Sequence, residues 1–201
     1  MTSADAAPKV AAIILAAGSS SRFGRNKLLE EIDGAPMVSR VAALAVRSGA
    51  SPVVAVTGFE APRVRAALHQ PGVKIVHNPG FAGGLSTSLC AGLAALPAGV
   101  AGALILLGDM PRLAPSVLDA LLACFAANGA KAICVPVHHG CRGNPMLWPR
   151  AYFPEMMSLS GDRGAKSLMQ RHADRVVEVA VGTNSIFEDF DCAADFERAA
   201  R

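Results

Sequence analysis

The sequence predicts an α/β fold: a single doubly wound, mostly parallel sheet with helices on both faces. Two observations predict it. Short, wholly apolar runs of strand length alternate with longer segments whose apolar residues recur every three to four positions, from residue 10 to residue 137. Hydrophobic residues make up 52% of the 201-residue chain and charged residues only 17%, which supplies a core and excludes a disordered chain.

Val10–Ala17 (VAAIILAA) is apolar on both faces, the pattern of a buried central strand. A Gly/Ser/Arg segment, Gly18–Lys27, follows it. Pro36 is suited to a first helical position, and Met37, Val41, Leu44 and Ala45 then share one face before Gly49 ends the helix. Pro52–Thr57 is the second strand, Glu60–His69 the second helix and Val73–His77 the third strand. Asn78–Ser86 (NPGFAGGLS) is a loop by its Asn-Pro and Gly-Gly content. Ser86 or Thr87 is expected to cap a helix with Leu89, Leu93 and Leu96 on its apolar face, stopped by Pro97.

Ala103–Leu107 is another buried strand, ending at Gly108-Asp109. After Pro115, Leu118, Leu121, Leu122 and Phe125 form a helical stripe closed by Asn128-Gly129. Lys131–Val137 is the next strand. Beyond residue 138 the sequence suggests a Gly-rich loop and a short strand near Met146–Trp148. A helix around Gly164–Arg171, a strand at Arg175–Val181 and a last helix from about Ala193 follow. Residues 1–201 read as one domain, with 138–191 at most a lobe over the site. A chain of this length buries roughly 70% of its unfolded surface and needs no staple.

Charge and composition narrow the function. Lys and Arg number 19 against 16 Asp and Glu, a balance of +3 that implies no broad basic face and argues against nucleic-acid binding. One Trp and one Tyr leave few platforms for stacking bases. Cys90, Cys124, Cys134, Cys141 and Cys192 are odd in number and form no CxxC pair, as in a reduced, cytoplasmic protein. The start, MTSADAAPK, lacks the basic opening of a signal peptide, and no apolar run is long enough to span a membrane.

Ligands of open α/β sheets sit beyond the carboxyl ends of the strands, where Gly18–Lys27, Asn78–Ser86 and Gly108–Pro111 all fall. Gly18–Lys27 reads GSSSRFGRNK. Hydroxyl and backbone donors with Arg22, Arg25 and Lys27, and no acid between Gly18 and Leu29, suit a polyphosphate. The same segment also reads as a solvated turn with incidental charge. The GxxxxGK[ST] pattern fails at Arg25-Asn26 and the GxGxxG pattern at Ser20, which disfavours an NAD(P)-linked oxidoreductase. Asp109 ends a strand and would point into the crevice, although alone it also reads as a turn or cap residue before Pro111.

Leu15–Lys27 (LAAGSSSRFGRNK) resembles the LAAGxSxRMGxxK signature of the nucleotidyltransferases. Within them it resembles the molybdopterin nucleotidyltransferase group, and the molybdenum cofactor cytidylyltransferases most. Phe23 stands where Met is usual. The resemblance runs through most of residues 10–199. It implies a nucleotide-diphospho-sugar-transferase-like fold, with Leu15, Ala16, Ala17, Gly18, Arg22 and Lys27 around the nucleotide. Arg22 and Lys27 would neutralise the departing pyrophosphate.

Gly108-Asp109-Met110-Pro111 resembles the family's metal-binding GDMP, making Asp109 an Mg2+ ligand. Phe187–Phe196 (FEDFDCAADF) resembles its DIDTPED-like end, with Asp191 the first choice for a second ligand and Asp189 the second. These two Asp alternate in what reads as a strand, and Cys192-Ala193-Ala194 replaces the family's Thr-Pro-Glu. Asn78–Ser86 resembles the family's nucleobase loop, which adds Asn78, Gly84, Ser86 and Ser88, with Gly108, to the nucleotide residues.

Family members that take GTP tend to carry LAGG. The methyl of Ala17 therefore favours a pyrimidine, hence CTP, by about 1 kcal/mol. Gly140–Pro145 resembles the GxxGNP acceptor-side loop, giving Gly143, Asn144 and Pro145. Ser160–Ala165 resembles the GDxGA loop, giving Gly161, Asp162, Gly164 and Ala165, where a helix N-terminus would hold the pterin phosphate. His138-His139-Gly140-Cys141 is no dedicated metal site, since adjacent extended His residues point opposite ways.

The resemblance thus implies a Mg2+-dependent transfer of CMP from CTP to the terminal phosphate of molybdenum-loaded molybdopterin. Asp109, Arg22 and Lys27 carry the chemistry. The substrates are small molecules, and the implied protein partner is a molybdoenzyme of the xanthine dehydrogenase type or its chaperone. A guanylyltransferase, a cytidylyltransferase for another phosphorylated acceptor, and a carrier that binds the cofactor without turnover are the alternatives.

Overall fold

The structure, a computed structural model, describes residues 7–20, 23–161 and 166–190. Its strands are β1 (Val10–Ala16), β2 (Glu31–Ile32), β3 (Ala35–Pro36), β4 (Val53–Thr57), β5 (Val73–His77), β6 (Gly102–Leu107), β7 (Ile133–His138), β8 (Cys141–Arg142), β9 (Met146–Pro149) and β10 (Val176–Ala180). Its α-helices are α1 (Met37–Arg47), α2 (Ala61–Ala67), α3 (Leu85–Ala94), α4 (Pro115–Ala127), α5 (Phe153–Met157) and α6 (Lys166–Arg171).

The main sheet runs β10-β7-β9-β6-β1-β4-β5, with β8 paired to β7. β5, β4, β1 and β6 are parallel, as are β7 and β10. β9 is inserted antiparallel between β6 and β7. The chain winds from β1 to β4 and β5 on one side, then crosses back to β6 on the other side of β1. That reversal leaves a crevice beyond the ends of β1 and β6, the usual ligand position in open α/β sheets.

The double winding shows in the alternation of β1. Val10, Ala12, Ile14 and Ala16 pack with α1 and α4, while Ala11, Ile13 and Leu15 pack with α3, α5 and α6. All seven β1 residues are buried. Trp148 and Phe125 are the largest of the fully enclosed side chains. Gly102 permits the packing around them: a β-carbon there would stand 2.6 Å from Phe125 Cζ and 2.7 Å from the Trp148 carbonyl.

Several local expectations are corrected. Helix α3 starts at Leu85, with Gly84 at its N-cap and no side-chain cap, so neither Ser86 nor Thr87 caps it. The Thr87 hydroxyl instead donates to the Gly80 and Gly84 carbonyls. Pro36 lies in β3 and at the N-cap of α1, one residue ahead of the first helical position. A hairpin precedes it because Asp33 and Gly34 both take positive φ, 49° and 78°, as a tight two-residue β-turn requires. His139 and Gly140 form the same kind of turn, at 49° and 77°, between β7 and β8. The left-handed His139 swings its ring beside that of His138, 4.1 Å between centroids, rather than to the opposite face. Residues 188–190 are not a strand, so the expected alternation about Asp189 is absent. The helix expected from Ala193 lies outside the described residues.

Candidate active site

A cavity of about 440 Å³ opens at the crevice between β1 and β6, within the size range of small-molecule sites. Leu15, Ala17 and Gly18 line it from β1 and the loop beyond, joined by Ser19, Ser20, Lys27 and Leu28. Phe81, Ala82, Gly84, Leu85 and Ser88 line it from the segment that leads into α3, and Leu107 and Asp109 from the end of β6. The register of β1 on β6 pairs Leu15 with Leu107. Asp109, two residues on, therefore emerges beside Ala17.

Lys27 and Asp109 meet there, Nζ to Oδ2 at 2.8 Å, with side chains only 14% and 20% exposed. The second oxygen of Asp109, Oδ1, is buried and has no donor among the described residues. A buried carboxylate oxygen without a partner is costly, and a hard divalent cation is the kind of group that satisfies it. Among the described residues no group of three or more His, Cys, Asp or Glu forms a closed metal cage. An ion at Asp109 would thus share its coordination with other oxygens, as magnesium does with phosphates.

Lys27 is held by its loop. The Ser20 hydroxyl accepts from the Lys27 backbone N–H at 3.1 Å. The neighbouring Asn26 is buried; its Oδ1 accepts from the Leu28 N–H, and its Nδ2 donates to the Phe59 carbonyl, both at 3.2 Å. Asn26 was not singled out by the sequence motif. Its sequence signal is an Asn two residues ahead of the apolar pair Leu28-Leu29, a common place for an Asx turn. On the Asp109 side, Arg40 of α1 donates to the Ile32 and Pro111 carbonyls, tying the β2–β3 hairpin to the loop after Asp109.

The other nucleotide-side residues divide by geometry. Ala16 turns from the cavity into the opposite core layer. Gly108 lies in close quarters, where a β-carbon would stand 3.0 Å from the Leu15 carbonyl. Asn78 is buried, donates to the Thr87 and Ser88 hydroxyls and accepts from the Gly80 N–H; it shapes the loop from beneath. Gly84, at φ 97°, takes a backbone form that favours glycine. Ser86 is 1% exposed and does not line the cavity; its Oγ is buried with no hydrogen-bond partner among the described residues. Ser88, two residues on and so on a different side of α3, does line it. Arg22 lies outside the described residues.

On the acceptor side, β9 pairs Met146 with Ile105, so Gly143, Asn144 and Pro145 fall at the same sheet end as Asp109. None of the three lines the cavity. Gly143 is pressed against Ile186: a β-carbon there would stand 2.5 Å from its carbonyl oxygen, and the Asn144 N–H donates to that oxygen. Gly161 is exposed with φ 72°. Asp162, Gly164, Ala165 and Asp191 lie outside the described residues. Asp189 is exposed, and Phe190, just before Asp191, donates its N–H to the Asp109 carbonyl at 3.2 Å. The last described residue is thus tied to the backbone of Asp109.

Residues 12–176 match the family of the MobA-like NTP transferase domain. The chain belongs to that family. This MobA-like NTP transferase is 30% identical over 136 residues to the molybdenum cofactor cytidylyltransferase of Escherichia coli, covering 67% of each chain. It is 29% identical over 172 residues to a probable molybdenum cofactor guanylyltransferase of a Nostoc species, covering 84% of this chain and 80% of that one. It is also 35% identical over 126 residues to the bifunctional protein GlmU of Geobacter sulfurreducens, of which the match spans only 26%. Among solved structures, the Mycobacterium tuberculosis Rv0371c protein in complex with manganese superposes with a TM-score of 0.80 at 27% identity, covering 96% of this chain and 98% of that one. No helix among the described residues is long and apolar enough to cross a membrane.

Proposed function

We propose that this protein transfers the CMP group of CTP to the terminal phosphate of molybdenum-loaded molybdopterin, releasing pyrophosphate and forming molybdopterin cytosine dinucleotide. The observation that carries this reading is the Lys27–Asp109 pair in the cavity lining, with a second, buried oxygen on Asp109. The methyl of Ala17 on the cavity wall supports CTP over GTP.

In this reading Asp109, with Asp191, holds Mg2+, which when bound supplies positive charge to the phosphate oxygens. Lys27, a compact point charge, meets oxygens of the departing pyrophosphate, and Arg22 adds a planar fork. Leu15, Ala17, Gly18, Gly84 and Ser88 enclose the nucleotide, while Ala16, Asn78, Ser86 and Gly108 support them from behind. Gly143, Asn144, Pro145, Gly161, Asp162, Gly164 and Ala165 form the acceptor side. An oxygen of the acceptor's phosphate forms a bond to the α-phosphorus. The bond from that phosphorus to the bridging oxygen breaks, and the electron pair leaves with pyrophosphate. The attacking oxygen is already anionic, so no side chain needs to remove a proton. Catalysis is positioning and charge neutralisation.

The test is a panel of CTP, GTP and ATP with Mg2+ and molybdenum-loaded molybdopterin, read by pyrophosphate release. Acceptor-dependent release from CTP is expected. Release from GTP alone would replace the nucleotide assignment, and binding of the cofactor without release would make the protein a carrier. Delivery to a molybdoenzyme of the xanthine dehydrogenase type, or to its chaperone, belongs to the same proposal.

A further inference from the structure

The cavity wall at Phe81 and Ala17 rests on a residue that no motif marks. Gly58 directly follows β4, and its α-carbon sits under both Phe81 and Ala17. A β-carbon on Gly58 would stand 2.6 Å from Phe81 Cβ, 2.7 Å from Phe81 Cγ and 2.8 Å from Ala17 Cβ. These are not the ends of flexible side chains: Ala17 has no rotamer to change, and Phe81 Cβ moves only with its backbone. Both residues line the cavity.

The adjoining Phe59 carries the connection further. Its N–H donates to the Ala17 carbonyl at 3.2 Å, its carbonyl accepts from Asn26 Nδ2 at 3.2 Å, and its ring lies 6.4 Å from that of Phe81. One dipeptide therefore touches the residue before Gly18, the residue before Lys27 and the wall at Phe81.

We infer that Gly58-Phe59 is a specificity-determining support: the absent side chain at 58 lets Phe81 and Ala17 close together, and their spacing sets the width available to the nucleobase. The inference rests on the reading of this cavity as the nucleotide site. Ala17 then acts as one half of a pair whose separation Gly58 controls.

The experiment compares wild type with Gly58→Ala and Phe81→Leu in steady-state assays and in direct CTP and GTP binding by calorimetry. Gly58→Ala is expected to raise KM and Kd for CTP by about tenfold or more and to change the CTP-to-GTP preference, with kcat within about threefold of wild type. Phe81→Leu leaves β4 and Gly58 intact, so it reports on the same wall even if Gly58→Ala does not fold; it is expected to shift the preference in binding. Gly99→Ala, outside the cavity lining and with nothing within 4 Å of a new β-carbon, controls for the effect of an added methyl and should leave KM unaltered. A folded Gly58→Ala with wild-type KM and preference overturns the inference. So does a loss in kcat alone, or a Phe81→Leu variant that binds both nucleotides as wild type does. Failure of the wild type itself to bind any nucleoside triphosphate would instead overturn the proposed function.

Discussion

Removing the Lys27 charge should separate catalysis from stability in a way that metal reveals. At 2.8 Å the pair's attraction is about 6 kcal/mol at an effective dielectric of about 20, before desolvation is subtracted. Fully buried pairs lose about 3–5 kcal/mol when one partner is removed, because the other charge is stranded. With 14% and 20% exposure some water reaches both groups, so about 2–3 kcal/mol is expected for Lys27→Ala. That lowers Tm by roughly 4–12 °C in a chain of this size. Asp109 then loses its ion-pair partner, so Mg2+ or Mn2+ should bind more tightly and recover stability, about 2.7 kcal/mol at a hundred times its Kd.

Turnover should nevertheless fall at least about a hundredfold, since metal at Asp109 does not replace the charge at the leaving group. Asp109→Asn should lose both turnover and the metal-induced rise in Tm. The assays are pyrophosphate release and thermal melts with and without metal. Wild-type turnover in both variants would refute the reasoning, as would an identical metal shift in Lys27→Ala, Asp109→Asn and wild type.

Asn26→Ala should destabilise the protein by about 1–3 kcal/mol by stranding the buried Leu28 N–H and Phe59 carbonyl, and should lower kcat by misplacing Lys27; denaturant titration and kinetics check both. Gly143→Ala should cost about 1–3 kcal/mol by pushing against Ile186, and should weaken acceptor use more than nucleotide binding. Burial, with the nearby Cys124 thiol, raises the Cys134 pKa far above the ordinary thiol value. The folded protein then holds a proton that the unfolded chain releases above pH ~8.5, so this contribution is full below that pH and declines above it. Cys134→Ala should flatten the alkaline slope of stability, measured by denaturant midpoints from pH 8 to 10. In the native protein, the exposed Cys141 should alkylate well before Cys134.

The periodicity of apolar residues made most of the fold legible. Val10–Ala17, Val73–His77 and the stripe through Leu118 and Phe125 each announce which surfaces must be buried, and the observed elements lie within a few residues of those readings. The hairpin at Glu31–Pro36 escaped because its strands are too short for any period, although Asp33-Gly34 is a turn signal. The antiparallel insertion of β9 escaped for a different reason. Its direction is set by pairing with β6 and β7, segments elsewhere along the chain, and no local pattern records that.

The candidate site divides along the same line. Sequence by itself determined the succession of strands and helices, the loops that follow them and the family to which those loops belong, because burial periodicity and turn chemistry are local properties. Tertiary structure alone decided that Lys27 touches Asp109, that Ser88 rather than Ser86 faces the cavity, that Asn26 bonds Phe59, and that Ala17 and Phe81 meet over Gly58. Those are contacts between segments distant along the chain. Their distances follow from sheet order and from close packing, in which the absence of one methyl group at Gly58 matters as much as any side chain present.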